Sequence, residues 1–513
     1  MDDRPPAALA RLWTRLAARR GETAVVCAGD VLTFGDLDAM SRGYAGRLVS
    51  QGFSPGDRVA VFAETAPDVI AALLGHLRSG ILHVPINTRY RAEEARHILE
   101  DSGATAVLVR NGESGAAVVD EILASSPSIP LRRLEIGDVV KAGPLDEDAS
   151  KSVLRADGDP AVVVYTSGTT GKSKGAILSG RALAENTLAV TDLWRFHPRD
   201  RVVLALPLFH VHGLCLGVLG ALLQGATILL LPRFDAAGVV KAFAEDGATV
   251  FMGVPTMYAR LLEHLRADPG AGRILARGRL FTSGSAPLPA DQFAAFREMT
   301  GHAILERYGM SETLFTLSNP YEGERQPGTV GLPVPGCAIR VVDESGQDAP
   351  PGAVGELWVK SNGMMKAYWG RQAETGSAFR GEWFVTGDMV RVASDGYVTI
   401  LGRKSADFIK SGGFKISARE IEDVVRRHPR VRDAAVVGAA DPIWGERIVA
   451  AVTLKDGAPR PSEEDLLGEI AALCLEALAD YKRPREVRIF EELPRNVMGK
   501  VQKHRLAELL RKT

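Results

Sequence analysis

The sequence predicts an α/β fold in two domains. The large N-terminal domain is expected to hold layers of parallel sheet with helices plus a small barrel-like part, and the C-terminal domain to be a small α+β unit. Strand-like runs alternate with helical patterns over residues 58–281, which is typical of parallel sheets flanked by helices. Over residues 329–360 the strands become short and dense in Gly and Pro, as in a barrel. The 513 residues also exceed the size at which one hydrophobic core keeps growing.

The first part of the chain predicts a hairpin and then buried elements. Residues 23–27 and 32–34 are strand-like and are joined by a Gly-Asp turn. The apolar region 202–231 is interrupted by a proline, two histidines and a glutamine. Because a membrane span needs about 20 uninterrupted apolar residues, this region is expected to be a buried strand and a core helix.

A change of pattern near residue 402 marks the domain boundary. The predicted domains are therefore residues 1–402 and 403–513. Within the second domain, Ser417 and Glu420 have the spacing of a capping box, in which the two residues satisfy each other's backbone N–H groups at a helix start.

Composition excludes several classes of partner. The net charge of −1 provides no electrostatic footprint for nucleic acid or for an anionic membrane. The four cysteines lie far apart without metal-binding spacing, as in a reduced protein. The N-terminal residues are acidic and lack the apolar core of a signal peptide. We therefore expect a cytoplasmic protein without nucleic-acid or membrane partners, and the oligomeric state stays open.

The most informative segment is residues 165–175, Tyr-Thr-Ser-Gly-Thr-Thr-Gly-Lys-Ser-Lys-Gly, which follows a β-branched strand. Its three glycines, five Ser/Thr residues and two lysines suit a loop that turns backbone N–H groups toward a polyphosphate. Thr166 occupies the position where the Walker A pattern requires its first glycine, so the segment is not a P-loop.

This segment resembles the phosphate-binding signature of the adenylate-forming enzymes, the superfamily of acyl-CoA synthetases, luciferases and peptide-synthetase adenylation domains. The resemblance implies ATP, CoA and Mg²⁺ as cofactors. It implies ATP contacts in this loop from Thr166, Ser167, Gly168, Thr169, Thr170 and Lys174.

Three further segments resemble the family's nucleotide site. Gly284, Ser285, Ala286 and Pro287 are similar to the loop that lines adenine. The segment at residues 307–313 is similar to the one in which an aromatic ring packs on adenine and a Glu holds Mg²⁺. Its members here are Tyr308, Gly309, Ser311 (in place of the usual Thr) and Glu312. Asp388 and Arg403 match the family's two ribose contacts.

Two segments of the C-terminal domain complete the resemblance, which implies that this domain is mobile. The glycine loop that lines the CoA channel corresponds to Lys410, Ser411, Gly412 and Gly413. Residues 494–500 are similar to the motif whose lysine, Lys500 here, enters the site for adenylation. The catalytic residues implied are Lys500, Glu312 and His210.

The acid is indicated by Arg307. The surrounding sequence looks like that of malonyl-CoA synthetases, in which this Arg binds the distal carboxylate. His210, Val211 and Ser283 also match positions beside the acyl pocket, whereas Phe315 replaces an expected Met and could reshape that pocket. The alternative role for Arg307 is a structural ion pair with one of its glutamate neighbours, Glu306 and Glu312.

The resemblance implies an ATP-dependent ligase that forms malonyl-CoA through malonyl-AMP, with release of AMP and pyrophosphate. Other interpretations stay open at this point. The acid could be another short, medium-chain or aromatic carboxylic acid, or the enzyme could load a carrier protein. A non-catalytic nucleotide-binding protein of the same fold is the alternative from another class.

Overall fold

The computed structural model describes residues 8–126, 130–140, 158–166, 173–404, 408–411, 414–457, 459–495 and 499–511. The chain folds into two compact units. The first comprises residues 1–327, 331–338 and 359–384, and the second comprises residues 328–330, 339–358 and 385–513.

Helices and strands alternate along most of the chain, as the α/β prediction requires. The α-helices described are α1 (Ala8–Ala18), α2 (Phe34–Ser50), α3 (Pro67–Ser79), α4 (Ala92–Ser102), α5 (Ser114–Ser125), α6 (Ile136–Val140), α7 (Gly180–Leu193), α8 (Ala221–Gln224), α9 (Ala236–Ala244), α10 (Pro255–Ala267), α11 (Pro269–Leu275), α12 (Ala290–Thr300), α13 (Gln372–Ala378), α14 (Ala418–Val425), α15 (Glu463–Ala477) and α16 (Lys503–Arg511). A π-helix (His212–Gly220) and a 3₁₀-helix (Asp480–Lys482) accompany them.

The strands are short until the C-terminal part of the chain. Those described are β1 (Thr23–Cys27), β2 (Asp30–Thr33), β3 (Arg58–Val61), β4 (Leu82–Pro85), β5 (Ala106–Val109), β6 (Arg132–Glu135), β7 (Pro160–Thr166), β8 (Lys174–Ser179), β9 (Arg201–Leu204), β10 (Thr227–Leu230), β11 (Val250–Gly253), β12 (Leu280–Ser283), β13 (Leu305–Met310), β14 (Leu314–Ser318), β15 (Leu332–Pro333), β16 (Cys337–Val342), β17 (Val354–Ser361), β18 (Phe379–Arg380), β19 (Trp383–Val392), β20 (Val398–Arg403), β21 (Phe408–Ser411), β22 (Phe414–Ser417), β23 (Val431–Asp441), β24 (Gly445–Leu454) and β25 (Glu486–Ile489).

Two largely parallel sheets form the first unit. One has nine strands in the order β15-β14-β13-β12-β11-β9-β10-β1-β2, with the predicted antiparallel β1–β2 hairpin at one edge. The other has six strands in the order β6-β5-β3-β4-β7-β8. Their central strands are buried on both faces, which explains why they read as continuous apolar runs. The predicted α/β class is confirmed.

The remaining sheets are mostly antiparallel. One places β16, β17, β19 and β18 in that order, with β20 paired to β19. The other orders β22-β21-β24-β23, with β25 parallel to β24, and packs its core against α14 and α15. The α+β character predicted for the C-terminal domain is therefore confirmed.

The capping box predicted at Ser417 is wrong. Ser417 does occupy the N-cap position of α14, but its side chain makes no capping hydrogen bond. The hydroxyl instead donates to the carbonyl oxygen of Leu401 at 2.6 Å. A buried tertiary partner has displaced the local one.

The apolar region 202–231 contains β9, the π-helix, α8 and β10, all of them buried. The wide π-turns bring the helix backbone against its neighbours at two glycines. A Cβ added at Gly213 would lie 2.3 Å from the carbonyl oxygen of Pro207, and one at Gly217 would lie 2.4 Å from the Leu204 side chain. Helices of the described part of the chain do not combine the length and apolar character of a membrane span.

Replacement of Gly213 tests this close approach. Gly213→Ala should lower the free energy of unfolding by about 1–3 kcal/mol, because the added methyl group meets backbone rather than a side chain that can rotate away. The matched control is Gly468→Ala in α15, where nothing lies within 4 Å of an added Cβ. That variant should gain about 0.5–1 kcal/mol from helix propensity. Thermal unfolding of both proteins distinguishes the cases, and a Gly213→Ala protein as stable as the parent would contradict the packing described.

Candidate active site

The predicted phosphate loop connects β7 and β8, which pair in antiparallel register with Thr166 opposite Lys174. Ser167, Gly168, Thr169 and Thr170 lie outside the described residues. The structure describes the two ends of the loop, at Thr166 and at Ser173. The ammonium group of Lys174 lies 5.3 Å from the centre of the Tyr368 ring.

Helix α4 bonds to both flanks of this loop. The hydroxyl of Tyr165 donates to one carboxylate oxygen of Asp101 at 2.8 Å, and Arg371 donates to the other at 2.6 Å. One helical turn earlier, His97 bonds the carbonyl oxygen of Ser173 at 2.9 Å. Residues four apart lie on one helix face, so a single face holds the entry and the exit of the loop.

Glu312 faces the same hairpin. Its carboxylate is buried and accepts hydrogen bonds from the hydroxyl of Tyr368 at 3.0 Å and from that of Thr166 at 3.4 Å. The backbone of Glu312 accepts from the N–H of Met365 at 2.7 Å. The loop base and this carboxylate therefore belong to one hydrogen-bonded group.

Arg307 lies on β13 with its side chain almost fully buried. The predicted alternative, an ion pair with a neighbouring glutamate, does not occur in the structure. Glu306 turns its carboxylate to the backbone N–H of Leu288 at 2.9 Å, and Glu312 points toward the hairpin. The Nε and Nη2 atoms of Arg307 are buried without a hydrogen-bond partner among the described residues. Burial lowers the pKa of Arg307 to about 9.

Neighbouring residues shape the space around this guanidinium. The ring of Phe315 lies 5.0 Å from its central carbon, in cation–π contact. A Cβ at Gly284 would come within 2.5 Å of the same carbon, so glycine leaves room for the group. The side-chain amide of Asn186 accepts from the N–H of Phe315 and donates to its carbonyl, both at 2.9 Å. This pair of bonds fixes the backbone that carries the ring.

Two histidines line the entry to the π-helix. Burial lowers the pKa of His210 to about 4, and burial together with the charge of Arg307 holds the pKa of His212 well below its usual range. Nδ1 of His212 lies 3.4 Å from the hydroxyl of Ser285, which has a positive φ of 67°. The hydroxyl of Ser283 is buried without a partner in the described part of the chain. Val211 is partly exposed beside them.

The remaining residues of the predicted adenine site follow Arg307 and Ser285 in the sequence. Tyr308 follows Arg307 on β13 and directs its hydroxyl to the sulfur of Met310 at 3.8 Å. Gly309 packs so closely on β14 that an added Cβ would lie 1.9 Å from the carbonyl oxygen of Leu314. Ser311 is partly exposed in the turn between β13 and β14, and Ala286 and Pro287 follow Ser285 before α12.

The two predicted ribose contacts meet each other in the second unit. Nε of Arg403 lies 2.8 Å from the carboxylate of Asp388, and Nη1 of the same Arg donates to the carbonyl oxygen of Thr386 at 2.7 Å. The left-handed φ of 74° at Gly387 shapes the turn that holds Asp388. A carboxylate and a guanidinium on adjacent strands suit recognition of a diol.

The other predicted residues of the C-terminal segment also belong to the second unit. Lys410 is exposed on β21, and Ser411 is buried at the end of that strand. Gly412 and Gly413 lie outside the described residues. Lys500 is exposed close to the start of α16.

Sequence reasoning missed several residues of the site. Tyr368, Asp101, His97 and Asn186 belong to segments that carry no motif, and only their contacts identify them. Within the described ranges, no group of three or more His, Cys, Asp or Glu side chains could hold a metal ion. A metal at Glu312 would therefore need substrate oxygens as further ligands. Mg²⁺ binds in this way, through one or two carboxylates and phosphate oxygens.

Comparison with known proteins identifies the family. Residues 12–369 match the AMP-binding enzyme family, and residues 420–500 match the C-terminal domain of AMP-binding enzymes. The chain is 35% identical to a malonate–CoA ligase of Arabidopsis thaliana, over 89% of this chain and 78% of that protein. It is also 35% identical to a sulfoacetate–CoA ligase of Cupriavidus necator, over 93% and 92% of the two chains.

A solved structure is similar throughout. The crystal structure of ATP-bound MatB from Rhodopseudomonas palustris superposes with a TM-score of 0.90 at 36% identity, and the match covers 98% of each chain. These matches show that the chain belongs to the AMP-binding enzyme family and is an AMP-forming acyl-CoA synthetase.

Proposed function

We propose that the enzyme joins malonate to CoA through a malonyl-adenylate formed from ATP. The observation that carries this proposal is the buried guanidinium of Arg307, whose Nε and Nη2 atoms have no partner among the described residues. The similarity to a malonate–CoA ligase supports the same substrate. In the first step a carboxylate oxygen of malonate attacks the α-phosphorus and pyrophosphate leaves. In the second step the CoA thiol attacks the acyl carbon and AMP leaves.

The energetics of Arg307 favour an acid with a second anionic group. A buried cation without a partner costs about 3–5 kcal/mol. The cation–π contact with Phe315 returns only about 0.5–2 kcal/mol, so the ring does not replace an anion. Malonate has three carbons and offers little apolar surface, so the guanidinium–carboxylate pair is expected to dominate its affinity. A fixed two-pronged donor is well matched to that carboxylate.

The two histidines are proposed to contact the acid as neutral groups. Burial keeps the pKa of His210 at about 4, and that of His212 is also lowered. Both are therefore uncharged near pH 7, and Arg307 is the cation of this pocket. His210 is proposed to orient the reacting carboxylate, with Val211 and Ser283 beside it. The bulk of Phe315 is proposed to limit substituents on the central carbon of the acid.

The phosphate hairpin is proposed to bind ATP through its loop and Lys174. Glu312 would hold Mg²⁺ together with phosphate oxygens, and the ion would supply positive charge to the phosphates. The residues proposed to bind the adenosine are Gly284, Ser285, Ala286, Pro287, Tyr308, Gly309, Ser311, Asp388 and Arg403. Lys500 is proposed to serve adenylation, and the segment from Lys410 to Gly413 is proposed to line the CoA channel.

The boundary near residue 402 is proposed as the start of a mobile C-terminal domain. A cytoplasmic location is proposed on the basis of the four free cysteines, three of which are buried.

A second candidate substrate is sulfoacetate. It also carries a second anionic group for Arg307, and a sulfoacetate–CoA ligase is among the similar proteins. Measurement of AMP release with malonate and with sulfoacetate distinguishes the two candidates, because the acid with the higher kcat/KM is the substrate.

Removal of the Arg307 charge tests the proposal. Arg307→Met keeps an unbranched side chain but loses the cation, so kcat/KM for malonate should fall by about two orders of magnitude or more while that for acetate changes little. AMP release in the presence of CoA measures both. The matched control is Arg325→Met, because Arg325 is also largely enclosed but donates to the carbonyl oxygens of Pro320 and Tyr321. It should lower stability without changing the malonate-to-acetate ratio. Full malonate activity in Arg307→Met would refute the dicarboxylate assignment.

Tyr368 tests the proposed metal position. Tyr368→Phe removes the hydroxyl that donates to Glu312, and loss of such an outer partner typically weakens metal binding about 10-fold or more. The Mg²⁺ concentration for half-maximal acid-dependent pyrophosphate exchange should therefore rise about 10-fold. The KM for malonate, which depends on Arg307, should stay within about twofold. An unchanged Mg²⁺ requirement would contradict the proposal that Glu312 holds the metal.

A further inference from the structure

Gly499, the residue before Lys500, is linked to β23 of the second unit through the side chain of Arg495. The backbone on either side of Lys500 is paired, because Arg495 and Val501 form an isolated antiparallel β-bridge. The N–H of Gln502 also donates to the carbonyl oxygen of Pro494 at 2.7 Å. The guanidinium of Arg495 donates both to the carbonyl oxygen of Gly499 and to the carboxylate of Asp433 on β23. One side chain therefore joins the Lys500 segment to the sheet.

The residues after Lys500 have a second tie. Helix α16 begins at Lys503, whose ammonium group lies 2.8 Å from the carboxylate of Glu422 on α14. Glu422 is buried and also accepts from the backbone N–H of Val436 at 2.8 Å. The carboxylate that contacts Lys503 is thus also held by the backbone of β23.

Arg426, the C-cap residue of α14, connects the two ties. Its Nε lies 3.3 Å from the carboxylate of Asp433, and its Nη2 lies 3.8 Å from that of Glu422. Nη2 also donates to the carbonyl oxygen of Ala434 at 2.8 Å. The side chains alternate in charge around the Lys500 segment. This ion ladder consists of Arg495, Asp433, Arg426, Glu422 and Lys503.

We propose that the ion ladder positions Lys500 for the adenylation step. Asp433 and Glu422 are then positioning residues, which act through the lysine rather than on substrate. A lysine side chain is long and flexible, so its reach depends on where its backbone is held. Displacement of a reacting group by about 1 Å can cost about 100-fold in rate. The inference rests on the proposed role of Lys500.

The two half-reactions separate this role from a purely structural one. Asp433→Asn keeps the size of the side chain and removes its charge, and Glu422→Gln does the same at the other tie. Each should lower kcat for acid-dependent pyrophosphate exchange about 10-fold or more. Conversion of synthetic malonyl-adenylate with CoA should stay within about twofold, because it does not need the lysine. Arg495→Lys keeps the charge but loses the rigid guanidinium fork that reaches both groups, so it should show a smaller loss of exchange. This variant tests the inference even if the acid variants fold poorly.

The matched control is Glu469→Gln. Glu469 accepts from His428 at 2.8 Å and from Arg430 at 2.9 Å within the same unit, and neither partner belongs to the ion ladder. Its replacement should leave both half-reactions unchanged. In a Lys500→Ala protein, Asp433→Asn should cause no further loss of exchange.

The outcomes against the inference are distinct. Equal loss of both half-reactions in Asp433→Asn, or full exchange in all the ion-ladder variants while Lys500→Ala abolishes it, overturns the inference alone. Exchange that survives Lys500→Ala overturns the role of Lys500 and the inference with it.

Discussion

The buried guanidinium of Arg307 is the constraint around which the proposed acid site is arranged. It lies on β13 with no ion pair to any residue that the structure describes, and the neighbouring glutamates are directed to other partners. A Cβ at position 284 would lie 2.5 Å from the central carbon of the guanidinium, so glycine leaves room for the group. The Phe315 ring faces the cation, and an amide from α7 fixes the backbone of that residue. An uncompensated cation of this kind is costly in the free protein, which is the physical basis for proposing an acid with a second anionic group.

The proposed nucleotide site differs from the proposed acid site, because hydrogen bonds to neighbouring residues hold its side chains in place. One face of α4 bonds both flanks of the phosphate loop, and Tyr368 orients the carboxylate of Glu312. Pre-positioned donors and acceptors need little reorganisation when charge develops at phosphate. The proposed nucleotide site thus has a fixed frame, whereas the proposed choice of acid depends on a few side chains around one cation.

The sequence predicted the parts of this arrangement that are local. The α/β class and the hairpin at β1 and β2 follow from short patterns. The phosphate segment and Arg307 were identified by resemblance to a family, and their roles stay predictions. The capping bond at Ser417 was predicted wrongly, because a carbonyl 16 residues away competes for the hydroxyl. Tyr368 and Asn186 could not be predicted, since their partners are more than 50 residues distant and no motif surrounds them. The π-helix escaped prediction because its apolar residues occur on every side.

The most direct test of the central claim compares malonate with malonamate. The two acids have nearly the same shape, but malonamate carries a neutral amide in place of the second carboxylate. The quantity to measure is kcat/KM for AMP release by the unmodified enzyme with CoA. A preference for malonate of about 100-fold or more is predicted, because only the carboxylate compensates the buried guanidinium. Equal use of the two acids would contradict the account, since the second charge would then contribute nothing to recognition.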